Sequence, residues 1–261
     1  MSEGNFDYEQ SWARKEAVVD RKEAERIRQT LEMIPANVRT VLDAGCGDGR
    51  VSYGLASRFQ VVRLDVSRSA LRLGTNRNGV AGALTAMPFR DGTFDLVLAC
   101  EVIEHVDPEL LSRVLHEVQR VSRKYVLITV PYRETLADAE VRCVCGFVFH
   151  KWGHFQAFDE CKLTSLYPDL RLGKISYLGQ PKPAGTPVLR RLAQKWGGCY
   201  AAPDPDTVCP KCGNQSFVTD FSNFISMVLA GTTLLTCHLL PPRRATWVGG
   251  VFEKSIAPHR I

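Results

Sequence analysis

Short apolar runs alternate with amphipathic segments between residues 40 and 130. Four of the runs have the length and composition of buried β-strands, at residues 40–44, 61–65, 94–100 and 124–130. Between the first two runs, Val51, Leu55 and Phe59 recur at helical spacing. A further short strand is expected near Leu84. This alternation predicts an α/β protein with a parallel sheet, right-handed crossovers and helices on both faces.

Helix boundaries can be placed on both sides of this region. Residues 8–33 read as an N-terminal helix with a charged middle, and Pro35 follows it. Asp107 and Pro108 are a suitable cap and first turn for a helix over residues 109–121.

Composition limits the class of protein. The 261 residues suit one α/β domain with an insertion, and the net charge of +5 is spread along the chain without a Lys/Arg run, so no nucleic-acid partner is expected. Residues 1–10 are polar and acidic without an apolar signal-peptide core, which predicts a cytoplasmic protein. In a reducing compartment, nine cysteines indicate metal ligands or buried thiols more than disulfides.

Three glycines connect the first strand to the next helix, in the pattern Asp43-x-Gly45-x-Gly47-x-Gly49. Glycine lets the backbone turn sharply and approach a ligand closely. The sixth position of a dinucleotide fingerprint is Arg50 here, so that fingerprint is not satisfied. At the end of the second strand, Asp65 is placed to accept hydrogen bonds from both hydroxyls of a ribose. An acid there can also cap a helix, but Ser67 can do that equally well.

Together with Asp65 and the sequence Glu-Val-Ile-Glu-His-Val at 101–106, the glycine loop resembles the motifs of class I S-adenosylmethionine-dependent methyltransferases, in particular small-molecule enzymes with a type 11-like domain. The resemblance implies a Rossmann-like seven-stranded sheet whose last strand is antiparallel, with a sixth strand near residues 172–178 and the seventh near 246–254. It also implies that residues 101–106 form the cleft floor between cofactor and acceptor. The cofactor-binding residues that it implies are Asp43, Gly45, Gly47, Gly49, Asp65, Ala86, Met87 and Glu101.

The same resemblance divides the chain. Residues 1–37 would be an N-terminal helical cap, and the methyltransferase core would comprise residues 38–132, 155–180 and 244–256. Residues 133–154 and 181–243 would be cap insertions.

A histidine is the first candidate for acid–base chemistry. Methyl transfer from a sulfonium is an in-line displacement, and a hydroxyl acceptor needs a base. His105 is preferred because an unperturbed imidazole titrates near neutral pH, ahead of Glu101, Glu104 and His154. His154 lies in a segment that resembles one placed over the active site in some family members, although a structural histidine is at least as good an interpretation.

Two cysteine pairs predict a structural zinc site. Cys209-Pro-Lys-Cys212-Gly is typical of a zinc knuckle, and Cys143 and Cys145 would complete a four-thiolate set. In the implied topology both pairs leave the same edge of the sheet. Because Cys-x-Cys is tighter than a usual knuckle, His150 is an alternative ligand to Cys143. The simpler interpretation is that Cys143 and Cys145 are plain thiols and that the Cys209–Cys212 turn is unrelated to them.

Residues 221–240 carry no formal charge if His238 is neutral, and they approach the ~20 residues that span a bilayer. Polar residues recur in the stretch, and the strand after it must return to the sheet. A buried or lid helix is therefore expected, and a surface helix dipping into a membrane is the second interpretation.

The sequence thus predicts methyl transfer to a small molecule, with sugar, lipid-linked glycan, polyketide and quinone acceptors all open. Amino-methylation of nucleic acids is disfavoured, because residues 99–102 read Ala-Cys-Glu-Val where such enzymes carry an Asn/Asp-Pro-Pro-Tyr type motif. The alternative is a non-catalytic interaction module with a zinc cap. The presence of the glycine loop and Asp65 favours the enzyme.

Overall fold

Seven strands form one mixed sheet. Their order across the sheet is β3 (Gly79–Ala81), β2 (Gln60–Asp65), β1 (Thr40–Ala44), β4 (Phe94–Cys100), β5 (Ser122–Pro131), β11 (Trp247–Glu253) and β8 (Arg171–Leu178). The structure is a computed structural model that describes Glu9, Trp12 and residues 21–74, 78–183, 191, 192, 194, 200–218 and 243–254.

The direction of each strand confirms the predicted topology. The pairs among β1 to β5 are all parallel. β11 is antiparallel to both of its neighbours, β5 and β8. β8 therefore runs in the same direction as β1 to β5. The expected sixth and seventh strands exist, and the last strand is the antiparallel one.

Helices cover both faces of the sheet, as predicted. The described helices are α1 (Arg21–Leu31), α2 (Arg50–Leu55), α3 (Arg68–Leu73), α4 (Pro108–Val121) and α5 (Glu160–Thr164). The predicted cap of α4 is confirmed, because the Asp107 side chain accepts a hydrogen bond from the Glu109 amide and Pro108 occupies the first turn.

Alternation along β4 separates two apolar cores. Leu96 and Leu98 belong to a core that includes Ile27 of α1 and Leu55 of α2. Val97 and Ala99 point to the other core, which includes Val114 and Val118 of α4 and Leu163 of α5. Every residue of β4 is buried, as expected for a central strand covered on both faces.

Two boundaries differ from the expectation. The third strand lies at 79–81, not near Leu84, because Leu84 belongs to a turn in which the Ala86 amide donates to the Ala83 carbonyl.

The described part of the N-terminal helix ends at Leu31. Its predicted start at residue 8 and the apolar segment 221–240 lie outside the described residues. Within the described ranges, no helix combines the length and apolarity needed to cross a membrane.

The two expected insertions pack on each other. β6 (Glu140–Arg142) and β7 (Val148–His150) form an antiparallel hairpin. Residues 200–218 lie along it, because the Ala201 amide donates to the Glu140 carbonyl at 2.7 Å and the Val218 amide donates to the Arg142 carbonyl at 2.8 Å. We call residues 140–150 and 200–218 the cap.

A short ladder closes the base of the second insertion. β9 (Lys182–Pro183) pairs antiparallel with β10 (Arg243–Arg244), directly beyond the β8–β11 pair. The insertion therefore leaves and re-enters the sheet at neighbouring points.

Asp95 fastens the start of β4 to its neighbours. Its buried carboxylate accepts hydrogen bonds from the Arg39 amide at 3.0 Å and the Arg123 Nη2 at 2.6 Å, and Lys124 Nζ lies 3.0 Å away. Burial raises the pKa of Asp95, but the hydrogen bonds from Arg123, Lys124 and the backbone outweigh burial and hold it well below the usual range.

We expect Asp95→Asn to lower the free energy of unfolding at pH 7 by about 1–3 kcal/mol, because charged donors lose their acceptor. The depressed pKa means that this contribution is present above the unfolded-state pKa of about 3.9 and is lost as pH falls through the folded-state pKa. Urea unfolding between pH 7 and 3 measures it. Asp91→Asn is the control, since the exposed Asp91–Arg120 pair should contribute less than about 1 kcal/mol. Equal effects of the two variants would contradict this role of Asp95.

Candidate active site

A cleft of about 950 Å³ opens at the carboxyl ends of the parallel strands. Gly45 and Gly47 line it after β1, Asp65 after β2, and Glu101 after β4. Open α/β sheets bind ligands at this edge, so the topology brings these four residues together. Asp43 and Gly49, two other predicted cofactor residues, are not among the lining residues and support the loop from behind.

Glycine is required in the loop by the backbone and by its neighbours. Gly45 and Gly47 have φ angles of 75° and 53°. A Cβ atom on Gly45 would lie 2.7 Å from Val102 Cγ2, and one on Gly47 would lie 2.6 Å from Trp12 Cζ2. The glycines are therefore required by nearby side chains of the protein itself, in addition to the sharp turn and the close approach to a ligand that the sequence indicates.

Asp65 holds the glycine loop against the end of β2. Its Oδ2 accepts from the Gly47 amide at 2.8 Å and its Oδ1 accepts from the Ser67 amide at 2.8 Å. Ser67 caps α3, accepting from the Ala70 amide at 3.1 Å, as expected. Asp65 thus faces the cleft and also organises its wall.

Asp43 lies below the loop. It is buried, and the Ser52 hydroxyl donates a hydrogen bond to its Oδ2. Burial raises the pKa of Asp43 to about 6, with the Ser52 hydrogen bond opposing the rise.

The stretch expected to border an adenine is displaced by a few residues. Ala83, Leu84 and Thr85 line the cleft. Ala86 is exposed outside the lining, and Met87 packs in the core.

Glu101 and Arg26 put opposite charges at one end of the cleft. Glu101 has an unusual positive φ of 56°, and its carboxylate accepts a hydrogen bond from Trp247 Nε1. Burial raises the pKa of Glu101 to about 7, and the charge of Arg26 opposes the rise. Arg26 is a buried residue of α1 whose guanidinium lies 5.5 Å from the Trp247 ring centre. Among the described residues, Arg26 Nη1 has no hydrogen-bond partner.

Sequence reasoning did not single out Arg26. The only sign of its role was its position next to the apolar Ile27 on a helix expected to pack on the sheet, and the other charged residues in the middle of that helix masked this sign.

Two histidines form a second wall of the cleft. His105 and His154 both line it, and their rings meet edge to face with centres 4.6 Å apart. His154 Nδ1 lies 2.6 Å from Glu134 Oε2, and His150 Nε2 lies 3.4 Å from Glu134 Oε1. Burial raises the pKa of Glu134, but the nearby imidazoles of His150 and His154 outweigh burial and lower the pKa to about 2. Glu134 was missed from the sequence, because it lies in a polar loop with no motif.

The four cysteines predicted to bind zinc lie together in the cap. Cys143 Sγ is 3.6 Å from Cys212 Sγ, and Cys145 Sγ is 3.8 Å from Cys209 Sγ. All four sulfur atoms lie within 4.8 Å of one another. Zinc–sulfur bonds of about 2.3 Å in a tetrahedron separate sulfur atoms by about 3.8 Å, so the arrangement has the right size. His150, the alternative ligand, lies instead beside Glu134 and His154.

Comparison with known proteins agrees with this geometry. Residues 42–128 match the model of a family described as "Methyltransferase domain". The chain is 32% identical over 115 residues to malonyl-[acyl-carrier protein] O-methyltransferase of Legionella pneumophila, covering 40% of this chain and 40% of that protein. It is 34% identical over 103 residues to ubiquinone biosynthesis O-methyltransferase of Pseudomonas paraeruginosa, covering 35% of this chain and 44% of that protein.

Similarity in structure extends further along the chain. A solved S-adenosylmethionine-dependent methyltransferase from Archaeoglobus fulgidus superposes with a TM-score of 0.53 at 18% identity, covering 88% of this chain and 91% of that one. In sequence, by contrast, the chain spans less than half the length of the two O-methyltransferases. The comparisons confirm the predicted fold and the predicted resemblance.

We expect Asp65→Asn to lower the free energy of unfolding of the ligand-free chain by about 1–3 kcal/mol, because the buried Gly47 or Ser67 amide loses its carboxylate acceptor. Ser67→Ala, which removes the cap of α3 and the hydrogen bond that the Ser67 hydroxyl donates to Glu9, should cost about 1 kcal/mol. Urea unfolding measures both. If Asp65→Asn were as stable as the parent chain, the carboxylate would not organise the loop.

Proposed function

Because residues 42–128 form a methyltransferase domain, we propose that the chain transfers the methyl group of S-adenosylmethionine to a hydroxyl group of a small-molecule acceptor. One observation carries the proposal: the glycine loop, Asp65 and Glu101 share a single cleft with the His105–His154 wall. The cleft has a cofactor side and a side suited to proton removal.

The cofactor side fits the chemical groups of S-adenosylmethionine. Asp65 accepts from the ribose hydroxyls, and Ala83 to Thr85 border the adenine. Arg26, with its buried and unpartnered Nη1 among the described residues, pairs with the cofactor's carboxylate. Glu101, which accepts a hydrogen bond from Trp247 Nε1, pairs with its ammonium group. A zwitterionic tail is the kind of ligand for which a buried cation and a buried acid are both needed.

The bound cofactor supplies an electrophilic methyl group on a sulfonium. The protein's part is to align the acceptor oxygen with that methyl group and to exclude water, and positioning of this kind contributes on the order of 7–11 kcal/mol. Trp12, Trp247 and Val102 close the loop side of the cleft. His105 and His154 assist loss of the acceptor's proton, and Glu134 fixes the orientation of His154.

Support for an oxygen acceptor comes from the two O-methyltransferase relatives and from the histidine wall. Support for an apolar or aromatic acceptor comes from Trp152, Phe155 and Leu110, which line the cleft although their side chains remain 46%, 40% and 46% exposed. Large apolar side chains left exposed in a cleft mark a binding surface.

Zinc is the second component of the proposal. Cys143, Cys145, Cys209 and Cys212 hold one structural zinc ion that ties the two insertions of the cap together. A thiolate site of this type and unpaired thiols elsewhere belong in a reducing cytoplasm. Because Val208 to Pro210 also line the cleft, the metal fixes part of the acceptor side.

Release of S-adenosylhomocysteine across a panel of hydroxylated aromatic, quinone-like, sugar and lipid-linked acceptors tests the proposed reaction. Turnover with at least one of them supports it. A chain that binds S-adenosylmethionine and turns over none of these acceptors, even at high enzyme concentration, would favour the non-catalytic interaction module.

We expect Arg26→Met to weaken S-adenosylmethionine binding by ~10-fold or more, because a hydrogen bond between charged groups is lost while the apolar stem is kept. Calorimetry measures the affinity. Arg28→Met is the matched control on the same helix, since Arg28 is exposed and pairs with Glu25 and Glu32. Equal affinity in both variants would remove Arg26 from the cofactor site.

His105→Ala should lower turnover by ~10²-fold or more while cofactor affinity changes little, because assistance to proton loss contributes about this much. Steady-state rates and calorimetry on the same preparation separate the two effects. Unchanged turnover would make His105 a structural residue.

The purified chain should carry about one zinc ion, and a strong chelator should loosen the cap while the sheet still binds cofactor, because the core is complete without the metal. Elemental analysis should show zinc lost in Cys209→Ser and retained in Cys161→Ser, whose cysteine is exposed on α5 away from the cluster. Metal-free protein with full activity would show the four residues to be plain thiols.

A further inference from the structure

Glu104 is a buried acid without a partner. Its side chain is fully buried in a single 3-10 turn, Ile103–His105, beside the cleft. Across the described parts of the chain, neither carboxylate oxygen of Glu104 has a hydrogen-bond partner. Its backbone carbonyl accepts from the Phe155 amide at 2.8 Å, which fixes the turn against the segment that carries His154. A buried polar group with nothing to bind destabilises the fold, so this position calls for a ligand.

Two imidazoles lie beside that acid. One ligand atom from each of Glu104, His105 and His154 lies within 4.8 Å of the other two. Because a carboxylate accepts, Nδ1 of His154 is the donor in its 2.6 Å contact with Glu134 Oε2, and in the neutral ring the lone pair then lies on Nε2. A carboxylate that orients a histidine in this way is the usual companion of a metal-binding imidazole.

We propose that Glu104, His105 and His154 bind a divalent first-row transition ion at the wall of the cleft. Two imidazoles and one carboxylate suit such ions and leave further coordination positions open. Bonds of about 2.1 Å in a tetrahedron separate ligand atoms by about 3.4 Å, so the three side chains need to close by at most about 1.4 Å. Side-chain rotation supplies a movement of this size.

The charge at the site favours a cation. Burial disfavours the charged form of Glu104 most, the charges of Glu101 and Glu134 disfavour it further, and the charge of Arg26 opposes them. An ion between Glu104 and the two imidazoles satisfies the carboxylate and offsets that repulsion. The site is separate from the four cysteines, since none of its three residues belongs to that cluster.

The proposed metal site rests on the proposed function. It narrows the substrate class to acceptors whose hydroxyl oxygen fills an open coordination position of the ion. Coordination lowers the pKa of that hydroxyl, so its proton is released to bulk solvent as the acceptor binds, before methyl transfer in the site that excludes water. The oxygen lone pair then forms the bond to the methyl carbon, and the carbon–sulfur bond breaks with its electron pair remaining on sulfur. The imidazoles assist proton loss through the ion.

Titration of the full chain with Mn²⁺, followed by the electron paramagnetic resonance signal of free Mn²⁺, tests the proposal. Mn²⁺ does not displace zinc from thiolates, because it binds such sites more weakly. The chain should bind about one Mn²⁺ saturably. Glu104→Gln should weaken that binding at least 10-fold, whereas the exposed Glu109→Gln should leave it unchanged.

A second measurement uses the parent chain and does not depend on a variant that folds. Pulsed electron paramagnetic resonance of the Mn²⁺-loaded chain should show nitrogen couplings from two imidazoles. No saturable Mn²⁺, equal affinity in Glu104→Gln, or a loaded chain without nitrogen couplings would each overturn the metal site. Calorimetry with S-adenosylmethionine separates this failure from failure of the proposed function, since the Arg26 and Asp65 side of the cleft lacks any of the three ligands.

Discussion

The hydrogen bond from the Gly47 amide to the Asp65 carboxylate joins the two segments on which the cleft depends. One segment leaves β1 in a left-handed backbone that glycine tolerates, and the other ends β2 with an acid. Without this contact, the loop would have an unpaired backbone amide and the end of β2 would have a buried carboxylate with one donor fewer. The same contact sets the distance between the glycine loop and the Asp65 carboxylate, so a feature that stabilises the fold also shapes the wall of the cleft.

Much of the fold could be predicted because it depends on local patterns. Apolar runs of strand length and helical spacing report burial directly, and parallel strands bring their carboxyl ends to one edge whatever the details of packing. The third strand was misplaced because Leu84 is apolar but lies in a turn whose backbone pairs with itself. Nothing in a short window distinguishes an apolar residue in a buried turn from one in an edge strand.

The residues of the candidate site divide in the same way. Gly45, Gly47, Asp65 and Glu101 sit in motifs and could be named from sequence, and all four line the cleft. Arg26 and Glu134 could not, because their roles arise from contacts between segments far apart in the chain: Arg26 with Trp247, and Glu134 with His150 and His154. Ala86 and Met87, which were named from the resemblance, lie one and two residues beyond the lining residues Ala83 to Thr85.

The β9–β10 ladder has an implication for how this chain can change. The chain leaves the core through β9, ending at Pro183, and returns through β10, starting at Arg243. Because β9 and β10 pair, the stretch between them is connected to the core as one closed loop. The entropy of closing such a loop grows only with the logarithm of its length, and a doubling costs about 0.6 kcal/mol. Insertions and deletions between the stem strands therefore leave the sheet almost unaffected, while they alter the wall that includes Thr207 and Cys209. Acceptor preference can diversify in this architecture without a matching loss of stability in the cofactor half.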